Sequence, residues 1–73
     1  MTLADAKEGA SLIVTGTLSE EVTLQAMRFG IGQGSLISIA KNIKGGPVIV
    51  SRNEMEVAVG RQLALLIEVE HSS

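Results

Sequence analysis

Ser35-Leu36-Ile37-Ser38-Ile39-Ala40-Lys41 alternates around Ile37 and Ile39, the period-two pattern of a strand with one buried face. Asn42-Ile43-Lys44-Gly45-Gly46 supplies a turn, and Pro47-Val48-Ile49-Val50-Ser51-Arg52 resumes with β-branched residues, so the two runs predict a β-hairpin. Pro47 is compatible with this because it starts its strand, where a missing N–H need not break the ladder. A second tight turn at Asn53-Glu54 leads to Met55-Glu56-Val57-Ala58-Val59, with Met55, Val57 and Val59 expected on one face. Three strands joined by two short turns make a meander.

Upstream, Lys7-Glu8-Gly9 reads as a turn into a first strand over residues 10–15. Residues 19–30 carry helix signals: Ser19 to cap, Glu20 and Glu21 in the positive first turn, and Gly30 for a left-handed stop. On that helix Val22, Ala26 and Phe29 recur at helical spacing and are expected to face the sheet. Downstream, Gly60-Arg61-Gln62-Leu63-Ala64 reads as a turn or a single helical turn. Residues 65–70 then form a last strand with Leu65, Ile67 and Val69 inward against Glu68 and Glu70. The expected fold is mainly β with one short helix, a single domain over residues 1–73 whose core spans residues 3–70. Closing five short antiparallel strands into a small SH3-like barrel would remove exposed sheet edges, and that is the architecture expected.

Composition narrows the function. Seventy-three residues suffice for one core. Cysteine is absent, which removes disulfides, thiolate catalysis and Cys-based zinc sites and fits a reducing compartment. Phe29 is the only aromatic residue, so the core must be aliphatic. The first eight residues lack a basic stretch followed by an apolar one, and no apolar run approaches the roughly 20 residues of a membrane span, so a cytoplasmic protein is expected. Six Lys and Arg against eight Asp and Glu, without a basic cluster, argue against nucleic acid as a partner.

Gly30-Ile31-Gly32-Gln33-Gly34 superficially resembles a phosphate-binding loop, but such loops leave a strand and open a helix. Here the glycines follow a helix and precede a strand, so they read as a helix stop and tight turn. Glu68, Glu70 and His71 are the candidate metal ligands; a lone His with two carboxylates falls short of three or four convergent ligands, and no resident cofactor is expected. Ser11, Ser19, Ser35, Ser38 and Ser51 have no visible base, which argues against an enzyme. Arg61 reads either as a solvated turn residue or as a bidentate donor to a partner's phosphate or carboxylate. Ile43 either projects from its turn as part of an interface or folds back over the barrel mouth.

From Leu3 to Val69 the chain resembles the FeoA family. The likeness is carried by residues 3–9, by Met27-Arg28-Phe29-Gly30-Ile31 with Gly34, by Gly45-Gly46-Pro47-Val48-Ile49-Val50, and by residues 58–69 with Gly60-Arg61. The resemblance implies an SH3-like barrel in the cytoplasm that assists FeoB, the membrane GTPase transporter of ferrous iron, and a family loosely described as transition-metal binding. With neither Trp nor Tyr the chain lacks the aromatic groove with which SH3 domains grip polyproline. The expected contact with FeoB is instead a surface of the helix and the 43–47 loop, through Met27, Ile43, Lys44, Pro47 and Arg61. Two alternatives stand beside it: a ferrous iron carrier using Glu68, Glu70 and His71, and a GTPase-stimulating protein inserting Arg61 or Arg28. Aliphatic edge strands also make self-association an expectation.

Overall fold

Leu12 and Val14 alternate into the core from β1 (Ser11–Thr17), the strand on which the sheet is organised. β1 pairs on one side with β2 (Leu36–Asn42) and on the other with β5 (Ile67–His71), while β3 (Val48–Arg52) and β4 (Met55–Val59) extend the sheet beyond β2. All pairings are antiparallel, and the order is β4-β3-β2-β1-β5 in the computed structural model, which describes residues 1–72. β1 runs two residues further than expected because Gly16 and Thr17 pair with Glu68 and Ile67 after a register slip that leaves Thr15 over. Among the described residues no helix is long and apolar enough to cross a membrane.

The SH3-like architecture stands, but the sheet is not closed. β4 and β5 are its two edges. The N-terminal segment packs beside the β5 edge: Leu3, in a single 3-10 turn (Leu3–Asp5), is fully buried, and that turn packs against β5 and α2 (Arg61–Ala64). The same segment covers part of the β5 edge, since the Val69 N–H donates to the Met1 carbonyl (2.9 Å) and Thr2 bridges to Glu68. The core is aliphatic throughout, drawn from alternating positions of the strands: Leu12 and Val14, Ile37 and Ile39, Val48 and Val50, Ile67 and Val69.

Helix α1 (Glu20–Arg28) lies over this core through Val22 and Ala26. Ser19 Oγ accepts from the Val22 N–H (3.2 Å), as its place before two glutamates foretells. At the other end Gly30 takes φ +77; its N–H reaches the Met27 carbonyl (3.0 Å) and the Ile31 N–H reaches Ala26 (2.9 Å). This is a Schellman cap, so the glycine run is a helix stop. The cap also turns Ile31 into the core and leaves Phe29 outside, 42% exposed, where helical spacing had placed it inward.

Met55, expected to share a face with Val57 and Val59, and Leu65, expected inward, both face solvent. Met55, at the start of β4, is 68% exposed, while Val57 is half-buried against the core and Val59 is fully buried in it. Leu65 is 49% exposed because the chain is still in the helical cap of α2 there, and strand alternation starts only at Ile67. Leu12→Ala, which removes a fully buried side chain from the strand shared by both halves of the sheet, is expected to cost about 3 kcal/mol and to lower the melting midpoint by roughly 15 °C in calorimetry.

Candidate functional site

Arg61 opens α2 after Gly60, and its side chain runs back across the molecule instead of into solvent. Nε–H donates to the Gly46 carbonyl (2.9 Å), Nη1 to the Ala4 carbonyl (3.1 Å), and Nη2 to both Asn42 Oδ1 (2.6 Å) and the Ile43 carbonyl. Asn42 Nδ2 completes the cluster by donating to Ala4 (3.0 Å) and Ala6 (2.6 Å). A guanidinium has five N–H groups and four are committed here, so both sequence readings of Arg61, solvated turn residue and donor held out to a partner, are corrected. The arginine-finger reading fails for Arg61 on the same ground; Arg28 is exposed in the last turn of α1. Nothing in the local sequence reveals the clamp, because its acceptors lie 15 to 57 residues away.

The clamp orders the 43–47 loop. The Ile43 N–H donates to the Pro47 carbonyl (3.2 Å), the Gly46 N–H to the Ile43 carbonyl (2.8 Å), and a Cβ at position 46 would stand 3.0 Å from Ile43 Cγ2. Held in this way, the Ile43 side chain is still 46% exposed, with Lys44 exposed beside it and Pro47 half-buried. Ile43 therefore projects.

The expected contact residues do not form one surface. Met27 lies beside Arg52 and Asn53 at the end of β3, whereas Ile43, Lys44, Pro47 and the Arg61 guanidinium gather at its start. At the Met27 end, Phe29, Met55 and Val57 join it around an apolar recess, and Arg52 Nη1 ties the β3–β4 turn to the helix end through the Gly30 carbonyl (2.6 Å). Helical spacing places Phe29 toward the sheet, and the cap of α1 brings it out beside Met55. A second recess, of about 500 Å³, lies between α1 and α2 and is lined by Val22, Leu63 and Leu66 with Glu21, Gln25 and Gln62.

Strand geometry separates the candidate metal ligands. Glu68 and Glu70 share the outer face of β5, opposite Gly16 and Ile13, while His71 pairs with Leu12 and has the other parity. Among the described residues no three His, Asp or Glu side chains gather closely enough to hold a metal ion.

Residues 1–71 match the family described as the FeoA domain. The chain is 39% identical over 69 residues to a Methanocaldococcus jannaschii protein named Fe(2+) transport protein A, covering 93% of this chain and 83% of that one. The solution structure of a FeoA protein from Chlorobium tepidum superimposes with a TM-score of 0.83 at 27% identity, over 100% of this chain and 71% of that chain. A crystal structure described as an iron uptake regulatory protein (FeoA) superimposes with a TM-score of 0.86 at 24% identity, over 94% of this chain and 93% of the other.

The clamp makes a separable prediction. Arg61→Ala strands the half-buried Asn42 amide oxygen and nearby carbonyls, at an expected cost of about 2 to 3 kcal/mol, and Arg61→Lys recovers less than half because an ammonium cannot reach several diverging acceptors from one plane. Both variants should speed amide exchange at Ile43 and Gly46 well beyond the change in global stability.

Proposed function

This chain belongs to the FeoA family, and on that footing we propose that it serves ferrous iron uptake as an accessory protein in the cytoplasm, docking on the soluble part of the FeoB transporter and modulating it. The observation that carries this reading is the apolar face at the α1 end of the molecule, where Met27 (61% exposed), Phe29 and Met55 stand together outside the core. A domain of this size needs every apolar side chain it can bury, so three large ones gathered at one surface recess suit a partner better than water. Methionines suit such a role, being flexible and polarizable enough to fit a surface that moves through a GTPase cycle. The 43–47 loop is left out of this contact, since it stands at the other end of β3.

An amide-resolved NMR titration with the purified soluble domain of FeoB from the same source tests it. Shifts are expected to cluster at residues 27–30 and 52–57, and the double variant Met27→Asp with Met55→Asp to weaken binding by about tenfold or more, since central apolar anchors dominate most interfaces. The melting midpoint should be unchanged, because both side chains already face solvent. Absence of shifts at high partner concentration, or full binding by the folded double variant, would defeat the reading.

A further inference from the structure

The two edges of the sheet are finished differently. Along β5 the N-terminal segment takes up part of the edge, with the Val69 N–H on the Met1 carbonyl and Thr2 bridged to Glu68. Along β4, among the described residues, residues 55–59 make no main-chain hydrogen bond except to β3. The two-residue turn Asn53-Glu54 makes Arg52 and Met55 a bonded pair, and bonded pairs alternate along an antiparallel ladder. Met55, Val57 and Val59 therefore direct their N–H and C=O groups to β3, while Glu56 and Ala58 turn theirs outward. Edges are commonly blunted by a lysine, a proline, a bulge or a covering segment. β4 has none of these: Glu56 is its one charged residue, and its pairing with β3 runs without a register slip.

We infer that the docking partner contributes an extended segment that pairs with β4 as a sixth strand, apolar at the positions facing the Met27 recess and basic at those between. A strand added here meets the outward groups of Glu56 and Ala58 through its main chain, which supplies affinity, while its alternate side chains supply specificity. Met55 and Val57 lie on the face that holds the recess with Met27 and Phe29, so one row of the added strand is apolar. Glu56 and Ala58 are exposed on the opposite face, with Glu54 exposed in the turn before them. Beside Glu56 a lysine or arginine makes a favourable cross-strand pair and a carboxylate a repulsive one. The two arginines of the recess, Arg28 and Arg52, belong to the helix end and to β3, and Arg52 is bound to the Gly30 carbonyl, so the outer row of β4 stays acidic. This pairing rests on the FeoB reading for its partner and deepens it, since burial at the recess alone asks nothing of the main chain of β4.

Amide hydrogen exchange of the chain, alone and bound to the purified soluble domain of FeoB from the same source, tests it. In the complex the Glu56 and Ala58 N–H groups should exchange at least about tenfold more slowly, each having gained a strand partner. Ala58→Pro removes an outward N–H without breaking a bond to β3, so this variant should stay folded and bind about tenfold more weakly. Ala58→Val keeps the N–H at an exposed side chain and should bind like the unmodified chain. Glu56→Lys should weaken binding about threefold to fivefold, and less so in high salt. Binding with Glu56 and Ala58 exchanging as fast as in the unbound chain, or a folded Ala58→Pro variant that binds undiminished, overturns the inference and leaves the FeoB reading standing. Failure of the unmodified chain to bind overturns both. The exchange measurement uses the unmodified chain and decides the matter even where Ala58→Pro does not fold.

Discussion

The guanidinium of Arg61 joins the N-terminal segment at Ala4, the end of β2 at Asn42, the loop at Ile43 and Gly46, and the start of α2. A 73-residue chain with no cysteine and no aromatic residue in its core has few other ways to hold distant segments together. Its five strands do not close on themselves, and the segment of the buried Leu3 is anchored through Ala4 to Arg61 and through Ala4 and Ala6 to Asn42. Arginine is required because its planar fork presents donors in several fixed directions, so that one side chain can satisfy carbonyls converging from different segments.

The open sheet also shapes the surface. Met55 at the start of β4 lies outside the core, and the Schellman cap of α1 sends Phe29 to the same region while it draws Ile31 inward. At the other end of β3, the clamp fixes a loop whose tip carries Ile43 between lysines. The chemistry-bearing residues are dispersed: the two carboxylates and the imidazole of β5 point to different faces, and the arginine best placed in the sequence for outward binding is turned inward.

The sequence by itself determined the order and kind of nearly every element, because those follow from local physics. Alternation at Ile37 and Ile39, the Ser19 cap before Glu20 and Glu21, and the glycine stop after the helix each act within a few residues of where they are read. The family resemblance was legible for the same reason, resting on ordered short motifs. The tertiary structure alone decided which strands became edges, and whether Met55, Phe29 and Leu65 met core or solvent, since periodicity assigns a face but not what covers it. It alone decided the fate of Arg61, whose partners lie as far as 57 residues away in the chain, and it placed Met27 and Ile43 at opposite ends of one strand. Such contacts depend on how segments distant in sequence are folded against one another, and no local pattern encodes that distance.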